Sequence, residues 1–580
     1  MSGLLDPVTT PAPVPVVPSK PGTLTDAEKR AKDPELGAIY NSITPYFPFP
    51  DIRPAQEAAM TAWSGAIQHN KFSVIMELPT GSGKSGLAWT IGAHAVDHGS
   101  QGYQPGAYIL TTQKSLQTQY MRDFGSKGMT ELMGAANYRC RDFSTDCQSG
   151  SMIRRSMKAR GKEEDIPACE YCEYRSAKGV FAASGVGVTN FAYFLSEVKH
   201  IGQLKPREVL IIDEAHNTEA QILGQVEIEI TRSRCADLGI LPPPKINNGD
   251  IQRARAWVLD NYLPPAEVYL EHLQSEVLRL PQAEQVAGMR RASNMEQFLG
   301  RMKAIQNPEG VRDWFCNVDD TTGALKLRPL TAASFAYDSL FRMGRRVLFL
   351  SATILDAGSF ARGLGLDPAD IGVRKVGSDF PKENRRIRVF PTGSMSRKNQ
   401  QATLPHMLAM IKNILDRHPN EKGLIHTQSY ALTSIIRSAL ADTVHAERLL
   451  VPDAGYDQRK AHLEAHHNSS EPTVLLSPSM TEGLDLYGDL SRFQIIPKVP
   501  YPSWGDPFIK ARMDHDAGWY DWITCLTLAQ ATGRSIRSRT DHAVTYILDS
   551  DFINLMGRCG NKILPEWWRD AIEYPKLKDL

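Results

Sequence analysis

Eight short apolar runs frame what this chain can become: "FSVIMEL" from Phe72, "AYILTT" from Ala107, "VLIID" from Val209, "RVLFLSA" from Arg346, "GLIHT" from Gly423, "TVLLS" from Thr473, "FQIIPKV" from Phe493 and "AVTYILD" from Ala543. Each is followed by a turn bearing glycine or threonine and then by a helical stretch. Near-continuous Val, Ile and Leu suit parallel strands buried on both faces, with helices as the crossovers. The runs fall into groups before and after residue 355, so the expected fold is α/β with two parallel sheets.

Two stretches break this rhythm. Residues 113–185 hold four of the eight cysteines and the basic run "RRSMKARGK". Residues 225–330 read as helical, with Leu270, Leu273, Val277 and Leu280 at helix spacing. Both are expected as insertions into a first domain over 46–355, with a second domain over 356–580. Residues 7–22 are rich in proline, and 1–45 is read as a mobile tail.

Lys and Arg total 66 against 65 Asp and Glu, so a polyanion site must be a local patch rather than a whole face. At 42% hydrophobic and 23% charged the composition is that of an ordinary globular protein. No apolar run reaches the length of a membrane span, and the start lacks a basic-then-apolar leader. The expectation is a cytoplasmic protein without membrane contact, associated with the nucleoid, or a nuclear one in a eukaryote. Disulfides are rare there.

"FSVIMELPTGSGKSGLAWTIGAHAV" reads as strand, loop and helix. Thr80, Gly81 and Gly83 lie in the loop, whose glycines let backbone amides approach phosphate oxygens at a helix N-terminus. Lys84 would reach the β- and γ-phosphates of ATP, and the Ser85 hydroxyl would ligate Mg²⁺. The strict pattern asks for glycine where this chain has Leu78. Downstream, "VLIIDEAHN" ends a strand in Asp213 and Glu214, suited to holding Mg²⁺ and polarising the attacking water. Gln530, Arg534 and Arg537 follow one another at four and three residues, so on a helix they can share one face and offer two guanidiniums to a γ-phosphate.

Taken in order, these segments resemble the superfamily 2 helicases, within them the iron–sulfur branch typified by XPD and DinG, in a compact form of bacterial or phage type. "FPFPDIRPAQ" is similar to the family's adenine-sensing segment, which implies nucleotide contacts for Arg53 and Gln56. "ELPTGSGKS" resembles its phosphate loop, which commonly lacks the first glycine. "TTQKSLQTQ", with Thr112, resembles a strand-contact motif. "DEAH" at Asp213–His216 and "LSAT" at Leu350–Thr353 resemble the acidic and coupling motifs, which implies coupling roles for His216, Ser351 and Thr353. "SMTEGLDLYG", with Asp485 toward the nucleotide, and "QATGRSIRS" resemble later motifs of a second motor domain. The resemblance implies two RecA-like motor domains, the first carrying a small Fe–S insertion and a helical arch. It also implies an ATP-dependent DNA helicase, stimulated by single-stranded DNA and moving 5′ to 3′. The partners implied are single-stranded and forked DNA, met by a monomeric motor; the residues name no recruiting protein. Catalysis would rest on Lys84, Asp213, Glu214, Gln530, Arg534 and Arg537.

The cysteines are spaced C-x6-C-x21-C-x2-C at Cys140, Cys147, Cys169 and Cys172. That spacing alone suits either tetrahedral zinc or a [4Fe–4S] cluster. In the family the cysteines lie between phosphate loop and acidic motif, as here, which implies the cluster. Arg154, Arg155, Lys158, Arg160 and Lys162 fall between the second and third cysteines, either a solvated face or a DNA contact. Cys235, Cys316, Cys525 and Cys559 are scattered and read as ordinary thiols. Two further readings stay open: a zinc-bearing, nucleic-acid-stimulated ATPase that remodels without unwinding, on DNA or RNA, and a scaffold switched by ATP.

Overall fold

The computed structural model describes residues 24–578 apart from 160, 163, 168, 170, 201–203, 278, 452–455, 479–485, 487, 537, 538 and 577. Two seven-stranded sheets, parallel throughout, form its frame. The first runs in the order Ile371–Lys375, Ser73–Glu77, Gly344–Ser351, Arg207–Asp213, Gln104–Thr111, Val186–Asn190, Thr130–Leu132. The second runs Leu449–Leu450, Val474–Ser477, Gly423–His426, Phe493–Ile496, Val544–Asp549, Ile387–Gly393, Ile572–Glu573. All eight apolar runs are strands, and each of Ser73–Glu77, Arg207–Asp213, Gly423–His426, Val474–Ser477 and Phe493–Ile496 is buried along its length. This is what burial between two helical layers requires.

Register decides what meets at the carboxyl edge of the first sheet. Glu77 pairs with Ser351 on one side and Lys375 on the other, and Leu350 stands opposite Asp213. The end of the loop strand, the coupling segment and the acidic motif are therefore adjacent without any long-range adjustment. The sheet also extends past residue 355: Ile371–Lys375 is its edge strand. "IGVRK" there is half exposed and carries no apolar run, so nothing in its composition announces a strand.

Residues 24–45 are not a tail. Thr25 caps the helix Asp26–Lys32 by accepting from the Glu28 amide at 3.2 Å, while the Glu28 carboxylate accepts from the Thr25 amide at 2.7 Å. Asp33 caps Pro34–Ile43, whose Leu36, Tyr40 and Ile43 are buried against the first domain. Arg30 pairs with Glu57 and stacks on Tyr40, and Arg374 of the edge strand pairs with Asp26. The proline-rich residues 7–22 lie outside the described residues.

The insertions also differ from expectation. Much of 113–185 is motor: Tyr120 and Phe124 of the helix Lys114–Phe124 are core, and Thr130–Leu132 is a strand of the main sheet. The cysteines sit on a small antiparallel pair, Arg139–Cys140 with Thr145–Asp146, and on the helices Cys147–Ala159 and Glu173–Ala183 or the segment between them. Residues 225–330 are not helical throughout. The strands Ile228–Ile230, Trp314–Val318 and Leu325–Pro329 form a three-stranded antiparallel sheet beneath the helices Leu263–Val277 and Gln282–Met302. A separate core that includes Tyr262, Phe298, Trp314 and Leu325 holds this unit together.

Candidate functional site

The loop after Ser73–Glu77 turns through Gly81 (φ 77°) and Gly83 (φ 83°) before the helix Lys84–Asp97. At Gly83 a side chain is excluded twice, by the left-handed backbone and by the Gln56 amide nitrogen, which would lie 2.2 Å from an added Cβ. Gln56 donates to the Gly83 carbonyl at 3.3 Å and accepts from the Arg53 amide at 2.9 Å; Arg53 donates to the Gly81 carbonyl at 2.6 Å. Both residues of the "DIRPAQ" segment thus hold the loop. The Lys84 ammonium donates to the Leu78 and Pro79 carbonyls at 3.3 and 3.5 Å. Thr80 and Pro79 border a cavity shared with Ala529, Thr532 and Gly533 of the second domain. Ser85, half-buried, is the second residue of the helix.

Asp213 is buried at its strand end, accepting from the Tyr120 hydroxyl at 3.0 Å and the Glu214 amide at 2.9 Å. Burial pushes its carboxyl up to about 6; Glu214 adds to the rise, and Lys84 and Tyr120 oppose it. A cation between Asp213 and the loop would relieve the same penalty. Glu214 is held in the left-handed region at φ 51°, a strained setting for a non-glycine residue.

From this pair a line of contacts crosses to the second domain. The Glu214 carboxylate lies 3.5 Å from His216 Nδ1, and that nitrogen shares a 2.9 Å hydrogen bond with the Ser351 hydroxyl. Ser351 accepts from the Thr353 amide at 3.1 Å, and the Thr353 hydroxyl accepts from Gln530 Nε2 at 3.4 Å. Burial holds His216 below the ordinary imidazole value, and the charges of Arg534 and Lys84 push the same way. Arg534 is therefore within electrostatic reach of the acidic motif. Gln530 lies on the helix Trp519–Thr532, which ends at Gly533, so Arg534 follows the helix and does not continue the helical face expected from the spacing. Arg537 and Asp485 lie outside the described residues.

Several residues around this network were not singled out from the sequence. Glu77 is an acid at the end of an apolar strand, Tyr120 lies on the helix after Thr112, and Trp522 donates its indole N–H to the Ile354 carbonyl at 2.8 Å. The acid within "FSVIMEL" was the one visible signal.

The four motif cysteines converge. The sulfurs of Cys147 and Cys172 are 3.7 Å apart, Cys140 is buried beside them, and Cys172 caps its helix by accepting from the Arg175 amide at 3.4 Å. Burial and then the neighbouring thiols push Cys147 well up. Burial and Cys172 raise Cys169 too, against the charges of Arg154 and Arg175. Burial also raises Cys172, but the Arg175 amide and the adjoining thiols outweigh it and leave the thiol below its ordinary value. An all-thiol donor set beside cations fits a thiolate-bound metal or cluster. Among the described residues, however, no group of three or more His, Cys, Asp or Glu side chains closes to ion-binding geometry. On one zinc, with Zn–S near ~2.3 Å, tetrahedral sulfurs lie about 3.8 Å apart; four irons with one thiolate each spread them further.

Of the basic run, Arg154 is engaged within the insertion, paired with Asp142 and the Pro167 carbonyl. Arg155 and Lys158 are exposed, Arg155 bordering a cavity of ≈ 490 Å³ shared with Glu271 and Glu296 of the helical insertion. Arg160 lies outside the described residues. Thr112 follows the strand Gln104–Thr111, its carbonyl accepting from Asn190 at 3.4 Å.

Residues 411–571 match the helicase C-terminal domain family, and residues 49–236 match the type III restriction enzyme res subunit family. The ATP-dependent DNA helicase YoaA of Escherichia coli is 25% identical over 46% of this chain and 42% of its own length. A probable ATP-dependent helicase of Methanocaldococcus jannaschii is 22% identical over 88% of this chain and 93% of its own. Against the first of these the match spans less than half the relative's length. The chain shares the fold of a solved XPD helicase (TM-score 0.59, 14% identity, 91% of this chain and 100% of that one) and of Xpd4 from S. tokodaii (TM-score 0.54, 14% identity, 90% and 100%).

Proposed function

We propose that the chain is an XPD/DinG-like superfamily 2 helicase, an ATP-dependent enzyme that hydrolyses ATP with Mg²⁺ to translocate 5′ to 3′ along single-stranded DNA and to unwind forked duplex. The observation that carries this reading is the line from Glu214 through His216, Ser351 and Thr353 to Gln530. It gives a carboxylate beside the loop a route to the second domain, as a motor that steps by closing and reopening a cleft requires. Lys84, Ser85 and Asp213 would hold Mg²⁺-ATP, Arg53, Gln56, Thr80, Gly81, Gly83 and Asp485 would line its site, and Glu214 would orient the attacking water. Arg534 and Arg537 would neutralise charge developing on the γ-phosphate. Thr112, Arg155, Lys158 and Arg160 would meet the DNA backbone.

Cys140, Cys147, Cys169 and Cys172 would hold a [4Fe–4S] cluster. The 3.7 Å approach of Cys147 to Cys172 favours a second reading, a single zinc at the same four thiols. The test joins both questions: iron, sulfide and zinc content of anaerobically purified protein, then unwinding of forks with either a 5′ or a 3′ loading tail. The expected result is four irons with matching sulfide and unwinding from the 5′ tail alone. One zinc, with DNA-stimulated ATP hydrolysis but no strand separation, would overturn it in favour of a zinc-bearing translocase.

A further inference from the structure

Glu77 is 4% exposed; it opens the "ELPTGSGKS" segment, but no role has been assigned to it above. Its carboxylate accepts from the backbone amides of Leu355 at 2.7 Å and Ile354 at 3.3 Å, just past the "LSAT" segment. Leu355 is in the left-handed region at φ 63°, an uncommon setting for leucine that persists only where its surroundings hold it. They hold it from two sides. In the first domain Lys375 donates to the Leu355 carbonyl, and in the second Trp522 donates to the Ile354 carbonyl. The residue after Glu77 is Leu78, whose amide donates to the Ser351 carbonyl at 2.9 Å and whose carbonyl accepts from Lys84. Lys84 must turn from that carbonyl to reach a phosphate, so nucleotide binding acts directly on the backbone that carries Glu77.

We propose that Glu77 is a positioning residue that transmits the state of the phosphate loop to the second domain. Its route is the strained turn at Ile354 and Leu355 and the indole of Trp522. This rests on the ATP-driven reading above and runs parallel to the line through His216. A carboxylate is suited to the post because one buried oxygen can take two N–H donors, each stronger for the charge. Substrate contact is not part of the role. Removing Glu77 should therefore leave nucleotide affinity in place and weaken what affinity accomplishes.

The experiment compares the full chain with Glu77→Ala, Glu77→Gln, Trp522→Phe and the double variant Glu77→Ala/Trp522→Phe. It measures ATP KM, kcat with and without single-stranded DNA, and domain closure by energy transfer between dyes on the two domains when a non-hydrolysable ATP analogue binds. Glu77→Ala should keep KM within about twofold, lose about tenfold in DNA-stimulated kcat and lose most of the closure signal, the scale of one or two charged hydrogen bonds. Glu77→Gln, which retains an acceptor oxygen, should recover much of both. Trp522→Phe should lose closure similarly, and the double variant should be no worse than the worse single. Equal loss in KM and kcat, no rescue by Gln, or additive losses would overturn the proposal. A wild-type chain that binds the analogue and closes but is indifferent to DNA would instead refute the helicase reading and leave this one standing.

Discussion

The nucleotide half of the molecule and the cysteine insertion both gather polar side chains to one point, by opposite means. In the first, Glu77, Asp213 and Ser351 end adjacent parallel strands, so backbone register alone sets their spacing, and each is nearly inaccessible to water. In the second, only Cys140 is buried; Cys147, Cys169 and Cys172 are half-buried at helix starts or in the segment before one. Two strands of two residues each are the sheet that supports them. A sheet edge is organised before its ligand arrives. Four thiols pushed together by short elements would gain their order from the metal or cluster proposed for them, because such a site couples its ligand's binding energy to folding.

The largest expected effect lies on the preorganised side. Arg534→Ala should lower ATP turnover by about 10³ or more while ATP still binds, as removal of a guanidinium from developing phosphate charge does. Steady-state hydrolysis beside fluorescent-nucleotide binding separates the two. Retention of turnover within tenfold would remove Arg534 from the reaction.

On the thiol side the loss should be local. Cys172→Ser should abolish bound metal and expose 135–183 to limited proteolysis. ATP hydrolysis should stay within about threefold, and unwinding should fall at least tenfold. If hydrolysis collapsed with the metal, the two regions would be one cooperative unit and the contrast drawn above would fail.

How much of each region could be read in the sequence follows from the same contrast. All eight apolar runs became strands because a parallel strand covered on both faces has little choice of composition. "IGVRK" at the sheet edge and "LKLRP" in the antiparallel insertion were missed, since one exposed face admits charges that hide the pattern. Asp213, Glu214 and the loop glycines stood out in the sequence because phosphate and metal chemistry, which we propose for them, restricts residue type at fixed spacing. The contacts of Glu77, Tyr120 and Trp522 were not legible, although the acid itself was visible in "FSVIMEL", since each acts on a group that lies far away in sequence. The helices over 26–43 were hidden by the prolines before them, although Thr25 with Glu28, and Asp33 before Pro34, are ordinary start signals.

Those helices give a third, stability-based test. Ile43 is fully buried against the first domain's core. Ile43→Ala should cost about 2–4 kcal/mol, seen as a lower midpoint in urea, with iron or zinc content unchanged. Loss of metal in this variant would mean that the core of the motor, and not the insertion's own elements, keeps the thiols together.

The smallest effect concerns the seam between the domains. Glu219, on the helix after the acidic motif, meets Arg512 of the second domain at 2.8 Å, and Arg512 also donates to the Leu330 carbonyl. Burial pushes the Glu219 carboxyl up to about 7 from the ordinary 4.5; Arg512 opposes the rise and Asp516 adds to it. Between those two values the folded chain holds a proton at Glu219 that the unfolded chain has released. The contribution of this group to stability is therefore highest at the acid end of that window and declines as pH rises through it. Across the window the change is about 1–3 kcal/mol. Glu219→Gln keeps an acceptor for Arg512 and removes the titration, so its melting temperature should fall less than that of the wild type between pH 5 and pH 7.5. A wild-type advantage that grows with pH over the same range would mean that the charge pair outweighs burial at this seam. The acidic motif's own helix would then be tethered to the second domain most firmly in its ionised form, making the seam a second firmly organised contact rather than one eased by protonation.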